Sequence, residues 1–251
     1  MANPIQRATR FVSGMFTDPK KDADSRAICF SSVGKGTSGT LGALCGVGFG
    51  MGLVLALTTE SVGFGLYLML LSWFHWSEWF CTALYNPDMC EAESFLLNHS
   101  PAYGYAFLAA ITEYFVEDFF FPNFKNCLWL VIPSFFLCFF FLLVRFVSLV
   151  TAGSAFTHQV QSQKRPQHQL VTDGIYSYCR HPGYFGWFWW AVGSQLLLLN
   201  PFCIVGYAFA SWAFFHERIA DEEAKLASPS FFGAAYTQFK ARTPTWIPFI
   251  P

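Results

Sequence analysis

The sequence predicts an all-α, polytopic integral membrane protein with about six transmembrane helices. Of its 251 residues, 54% are hydrophobic, 20% aromatic and only 12% charged, whereas soluble domains usually carry about 25% charged residues. The 31 Phe residues are too many for a water-soluble core of this size, but in a bilayer outward-facing Phe contacts acyl chains. Helices are the expected spanning element, because backbone groups in lipid must be paired within their own segment.

Six apolar stretches come close to the roughly 20 residues that a helix needs to cross the hydrocarbon core. They are about 40–58, 62–85, 102–121, 127–150, 183–199 and 201–217. The last two are so close in sequence that they must form a tight helical hairpin. The chain therefore divides into a poorly ordered cytosolic segment (1–38), a four-helix transmembrane region (39–150) and a C-terminal region (151–251) made of a loop, the hairpin 183–217 and a tail.

The distribution of Lys and Arg predicts the orientation in the membrane. With both termini in the cytosol, Lys125 is the only one of the 15 Lys and Arg residues assigned to a far-side loop, as the positive-inside rule requires. The loop 151–181 and the tail after about residue 217 should then face the cytosol. A net charge of −1 gives no sign of nucleic-acid binding, which would need a basic face. The eight Cys residues form no Cys-x-x-Cys pair, so we expect neither a metal site nor a disulfide framework.

Polar residues crowd the loop 151–181, and long ordered loops are often functional. A turn signal at Thr172–Gly174 is followed by Arg180, His181 and Pro182, which open the next span. Pro suits the first helical turn, and the free N–H groups of that turn favour an anionic group such as a cofactor carboxylate or phosphate. The alternative is an ordinary cytosolic loop with a basic residue at a helix start.

A second polar cluster follows the hairpin, where Arg218 and Glu222 lie four residues apart and share one helix face. The hairpin turn brings this helix end back beside His181 and Pro182. A cation and a carboxylate would thus meet the anion-favouring helix start. The alternative is a solvated surface ion pair, which stabilises by less than about 1 kcal/mol.

Other ionisable residues lie inside the predicted spans. Such a residue costs about 2.5–3.5 kcal/mol at a lipid-facing midplane, so it should face protein or an interface. His75 and Glu78 are three residues apart; they could be catalytic, but we favour a mutual structural contact between helices. We expect Arg145 to extend toward the cytosolic interface.

Taken together, these motifs resemble those of isoprenylcysteine carboxyl methyltransferases. The resemblance covers about residues 45–251 and is carried by His168-Gln169-Leu170-Val171-Thr172-x-Gly174-x-Tyr176, Arg180-His181-Pro182-x-Tyr184-x-Gly186-Trp187, and Arg218 with Asp221-Glu222-Glu223. The Arg-His-Pro-x-Tyr motif alone also occurs in some phospholipid methyltransferases and NADPH-dependent sterol reductases, which are the rival enzymes. A membrane scaffold or transporter is the rival from another class. Vertebrate members have two further N-terminal spans, for which residues 1–38 contain no candidate.

The resemblance implies S-adenosylmethionine-dependent methylation of the C-terminal α-carboxylate of prenylated cysteine. The protein partners would be processed CaaX proteins such as Ras-like small GTPases, and the location would be the endoplasmic reticulum membrane. Residues 151–251 become the catalytic region, with Arg218 and Glu222 as catalytic candidates and Arg218 approaching the substrate. By motif position the cofactor would contact Gln161, His168, Gln169, Leu170, Val171, Tyr176, His181, Pro182, Gly183, Tyr184 and Glu222.

The mechanism that suits these residues needs no general base, because an α-carboxylate with a pKa of about 3.3–3.7 is already ionised at pH 7. Arg218 would clamp the carboxylate, since a guanidinium matches it bidentately. Glu222 would contact the cofactor and hold Arg218 in place. A lateral opening lined by Phe and Trp would let the prenyl chain remain in the bilayer.

Overall fold

Helices make up nearly all the regular structure of the computed structural model, which describes residues 35–97, 100–158 and 169–251. The longer helices are α1 (Lys35–Thr58), α2 (Val62–Tyr85), α3 (Pro101–Phe120), α4 (Leu128–Ala152), α5 (Pro182–Leu197), α6 (Pro201–Leu226) and α7 (Ala234–Arg242). Each predicted span coincides with one of α1 to α6, and the all-α prediction is confirmed for these residues. The N-terminal prediction falls outside them up to residue 34, and α1 begins earlier than expected, at Lys35.

Within the part of the chain that the structure describes, two helical segments qualify as membrane spans by length and composition, Ser38–Thr58 and Leu128–Ala155. For the other four helices, crossing of the bilayer stays a prediction. Large apolar side chains point outward along α4, where the exposed fraction is 91% for Trp129, 63% for Phe136 and 54% for Phe140. An outward-facing apolar surface of this kind is stable when lipid covers it.

Glycines allow two pairs of helices to approach closely. A Cβ atom added at Gly65 of α2 would lie 2.5 Å from the backbone nitrogen of Ala56 in α1. One added at Gly186 of α5 would lie 2.7 Å from the carbonyl oxygen of Phe141 in α4. Small residues at such crossings are typical of helix packing in membranes. The α4–α5 contact fixes the N-terminal half of α5, where the candidate site lies.

The predicted hairpin is present. Helix α5 ends at Leu197 and α6 begins at Pro201. Both helices start with Pro in the first turn, as does α3, which suits the fixed φ of proline. Helix α6 continues to Leu226, nine residues beyond the predicted span end at 217. Arg218 and Glu222 are therefore rigidly continuous with the hairpin.

The hairpin turn is held by Lys125, whose side chain is fully buried. Its Nζ donates to the Glu117 carboxylate at 2.7 Å and to the side-chain oxygen of Asn200 at 2.9 Å. It also donates to the carbonyl oxygens of Leu198 and Leu199, at 3.0 and 2.9 Å. The one cation that the sequence assigns to the far side is thus a structural clamp between the α3–α4 connection and the α5–α6 turn.

We predict that Lys125→Met destabilises the protein by about 3–5 kcal/mol, because it leaves a buried carboxylate and buried carbonyl groups without their donor. The measurement is reversible unfolding of the detergent-solubilised protein. Lys225→Met is the matched control, since Lys225 and Asp221 form an i,i+4 ion pair with side chains 36% and 59% exposed, and such pairs contribute about 1 kcal/mol or less. Equal effects of the two substitutions would contradict the clamp.

Candidate active site

A cavity opens at the start of α5, where His181 precedes Pro182 and Gly183. Its walls come from the end of α4, the loop before α5, the polar end of α6 and the tail. The lining residues are Ala152, Ala155, Phe156, Thr157, Gln169, Leu170, Val171, Tyr176, Arg180, His181, Gly183, Tyr184, Glu222, Lys225, Leu226, Phe231, Phe232, Tyr236 and Phe239. Apolar and aromatic walls with few polar groups are typical of sites that bind a small organic cofactor.

Most of the residues expected at the cofactor site are brought together in this cavity. Those that line it are Gln169, Leu170, Val171, Tyr176, His181, Gly183, Tyr184 and Glu222. Pro182 begins α5 between two lining residues. Gln161 and His168 fall outside the residues that the structure describes. Arg218 is not part of the lining, but its side chain contacts one lining residue, Tyr184.

The aromatic wall contributed by the tail was missed by the sequence reasoning. Phe231 and Phe232 precede α7, and Tyr236 and Phe239 lie on it, each of the latter pair 2% exposed. Their spacing of three residues on a short helix is a signal for a buried face. This spacing was visible in the sequence, but α7 is polar on average and follows no recognised motif, so the two residues were not singled out.

Glu223 is the centre of a buried polar cluster behind the cavity. Its carboxylate accepts hydrogen bonds from Arg180 Nε at 2.5 Å, His181 Nε2 at 3.0 Å and the Tyr236 hydroxyl at 3.2 Å. Lys240 adds an ion pair at 2.6 Å. Burial alone would raise the pKa of Glu223, but the hydrogen bonds from His181, Arg180 and Lys240 outweigh it and hold that pKa well below its usual value. The carboxylate is therefore ionised and fixes the cavity wall.

Tyr184 links the two residues that the sequence marked as catalytic. Its hydroxyl donates to Glu222 at 2.7 Å and accepts from Arg218 Nε at 3.1 Å. Glu222 and Arg218 therefore share a contact with Tyr184, and that Glu222 holds Arg218 stays a prediction. Among the described residues, the ion pairs do not include one between Arg218 and Glu222, so the alternative of a surface ion pair between these two residues is wrong. A second Arg218 nitrogen, Nη2, donates to the carbonyl oxygen of His158 at 2.7 Å.

The buried charges of α2 and α4 pair differently from the prediction. Arg145 is 2% exposed and donates to both oxygens of Glu78, at 2.5 and 2.8 Å, so the expectation that it extends to the interface is wrong. Glu78 also accepts from the His158 ring at 2.9 Å. Arg145 further donates to the carbonyl oxygen of Gly183 at 3.0 Å. This network ties the first turn of α5 to the transmembrane helices.

His75 does not pair with Glu78. Its Nδ1 donates to the carbonyl oxygen of Phe95 at 2.7 Å, and the Tyr103 hydroxyl donates to its Nε2 at 3.3 Å. The ring thus connects α2 to the α2–α3 loop and to α3. The structural role that we favoured for His75 agrees with these contacts, but its partners lie on other elements.

A second, apolar cavity lies between α3 and α6, against α5. It has a volume of about 960 Å³. It is lined on α3 from Ala102 to Val116 and on α6 from Phe202 to Phe215, and by Trp187 and Trp190 of α5. At one end Phe215 contacts Tyr184, with ring centroids 5.2 Å apart. This second cavity, which we call the apolar groove, therefore ends beside the first cavity at the start of α5, which we call the polar cavity.

Comparison with known proteins agrees with the motifs. The family model for the isoprenylcysteine carboxyl methyltransferase (ICMT) family matches residues 134–228. The chain is 45% identical to the protein-S-isoprenylcysteine O-methyltransferase of Xenopus laevis, over 82% of this chain and 71% of that protein. It is 40% identical to the Saccharomyces cerevisiae enzyme, over 85% and 90%. A solved structure of a eukaryotic intramembrane Ras methyltransferase, ICMT, superposes with a TM-score of 0.84 and 34% identity, covering 97% of this chain and 93% of the other.

Proposed function

The chain belongs to the isoprenylcysteine carboxyl methyltransferase family, and we propose that it transfers the methyl group of S-adenosylmethionine within the site formed by α5 and α6. It is an integral membrane enzyme that methylates prenylated cysteine, which decides against the sterol reductase, scaffold and transporter alternatives. The observation that carries the proposal is the junction at Tyr184, where the polar cavity meets the apolar groove.

The lining of the polar cavity fits a sulfonium cofactor better than a dinucleotide. Leu170, Val171 and Phe231 offer apolar surface for a purine ring, and Glu222 offers a carboxylate for a cationic ligand. Among the described lining residues, Arg180 is paired with Glu223 and Lys225 with Asp221. A phosphate-rich cofactor would need such cations for itself. When bound, S-adenosylmethionine would supply an activated methyl group.

Arg218 is the proposed anchor of the substrate carboxylate. Of the five N–H donors of a guanidinium, one goes to Tyr184 and one to His158. The contacts of the described residues thus leave three for a ligand. Because the carboxylate is ionised at neutral pH, these residues need only orient it and exclude water, which can supply about 7–11 kcal/mol.

The apolar groove is the proposed site of the prenyl chain. From Tyr103 to Val116 it follows α3 for about 20 Å at 1.5 Å per residue, a large part of the roughly 30 Å hydrocarbon core. Each buried CH₂ group contributes about 0.8 kcal/mol. A prenyl chain that moves laterally from the lipid into this groove keeps the favourable free energy of burying its CH₂ groups. Extraction of the prenyl chain into water would lose that free energy.

We further propose that the polar cavity faces the cytosol and that both termini lie there. The positive charge of the loops supports this orientation, as does the buried position of the exception, Lys125. The substrates would be C-termini of processed CaaX proteins, such as Ras-like small GTPases, and the membrane that of the endoplasmic reticulum.

We predict saturable binding of S-adenosylmethionine and of its demethylated product, with no binding of NADPH, because the basic side chains among the described lining residues are already paired. Isothermal titration calorimetry on the purified protein measures all three ligands. Tight binding of NADPH without S-adenosylmethionine would refute the cofactor assignment.

Arg218→Lys should lower kcat/KM for N-acetyl-farnesylcysteine roughly tenfold or more, because Lys keeps the charge but loses the planar fork. Affinity for the methyl donor should change little, since Arg218 does not line the cofactor cavity. Radiolabelled methyl transfer measures the first quantity and calorimetry the second. Arg242→Lys, at the exposed end of α7, is the control; near-normal turnover of both variants would remove Arg218 from the substrate site.

Gly206→Phe tests the groove. Gly206 lines it, and a Cβ atom there would meet no other atom within 4 Å, so the new side chain starts in open space and its ring is expected to occupy the groove. We expect KM for prenylated substrate to rise about tenfold, the equivalent of losing roughly two buried CH₂ groups. Gly104→Phe is the matched control, because Gly104 also has open space but is not part of the groove lining. Similar KM values in both variants would show that the chain binds elsewhere.

A further inference from the structure

The tail after α7 folds back along the hairpin. Ile247 and Ile250 are 3% and 8% exposed and share a cluster with Phe188 of α5 and Phe215 of α6. Trp212 of α6 donates its indole N–H to the carbonyl oxygen of Pro248 at 2.8 Å. Phe188 lies six residues after the start of α5, which is about 9 Å along the helix. The tail therefore packs beside a part of the hairpin that the sequence assigns to the membrane.

Two large aromatic side chains of the tail are largely exposed. Trp246 is 62% exposed, although its indole N–H donates to the carbonyl oxygen of Tyr178 at 2.8 Å, and Phe249 is 91% exposed. Both have a positive φ, of 59° and 61°, a strained conformation for non-glycine residues that persists only where the surroundings enforce it. The buried Ile247 and Ile250 enforce it here. The backbone thus turns isoleucines inward and aromatic rings outward.

We propose that Trp246 and Phe249 insert into the bilayer at the surface where α5 begins, and that they anchor the tail to the membrane that holds the helices. We expect lipid to cover these two side chains, because the tail packs against the α5–α6 hairpin. On that hairpin Phe209 is also 72% exposed. Aromatic rings with an apolar body, and Trp above all, are enriched at the membrane–water interface. A short apolar segment lying in that interface is a known mode of peripheral attachment.

The anchored tail also supports the polar cavity. The backbone N–H of Arg180 donates to the carbonyl oxygen of Pro244 at 3.1 Å. Its guanidinium donates to the carbonyl oxygen of Thr243 at 2.8 Å and to that of Pro251. The same guanidinium holds Glu223 at the back of the cavity. Attachment of the tail to lipid thereby restrains Arg180.

The test uses the full chain in phospholipid vesicles with a charged, water-soluble maleimide. Because the described residues leave Phe249 91% exposed, the proposal requires lipid to protect a cysteine placed there. We expect Phe249→Cys to react roughly tenfold more slowly than Ser230→Cys, a matched exposed position between α6 and α7, as burial in the interface requires. Equal rates would overturn the proposal.

A second measurement does not depend on the folding of the cysteine variants. The emission of Trp246 is obtained as the difference between the natural protein and Trp246→Phe. Vesicles of lipid brominated near the glycerol end of the acyl chains should quench most of this difference. Emission that survives brominated lipid but is quenched by acrylamide from water would place the ring in solvent and overturn the anchor.

Discussion

Charge buried among the helices of this protein has to be paired within the protein, because neither lipid nor an apolar core can solvate it. Two pairs dominate. Arg145 meets Glu78 on α2, and Lys125 meets Glu117 on α3. The cation of each pair also donates to the backbone of the α5–α6 hairpin, Arg145 at Gly183 and Lys125 at the turn. The hairpin is thereby held at both ends by cations on other elements.

The geometry of the candidate site follows from that restraint. Arg145 fixes the first turn of α5, from which Tyr184 projects. Through Glu78 the same network holds the ring of His158, whose carbonyl oxygen accepts from Arg218. The side chain proposed to meet the substrate is therefore oriented by residues far from it in sequence. Disturbing the buried pair would move both ends of the site together.

The sequence was sufficient for what is encoded locally. Apolar length and prolines such as Pro182 and Pro201 predicted where α2 to α6 begin to within about one residue, although α6 continues nine residues past its predicted end. The motifs predicted eight residues of the cavity lining but not the aromatic wall from the tail. Pairing across the chain was not accessible, because it depends on how helices cross. His75 and Glu78 are three residues apart, yet they turn to different neighbours. Glu78 and Arg145 are 67 residues apart, and nothing in the pattern joins them.

Tyr184 explains how one site can serve two substrates of opposite charge in the proposed mechanism. Its hydroxyl stands between Glu222 and Arg218, so the Glu222 carboxylate and the Arg218 guanidinium do not form a direct ion pair. The bonds of Arg218 go to a hydroxyl and a carbonyl oxygen, both uncharged, and its positive charge remains available for the substrate carboxylate. Glu222 remains available for the cationic methyl donor. A direct ion pair between Arg218 and Glu222 would have to be broken when the substrate carboxylate or the methyl donor binds. That cost would reduce the binding energy available to stabilise the transition state.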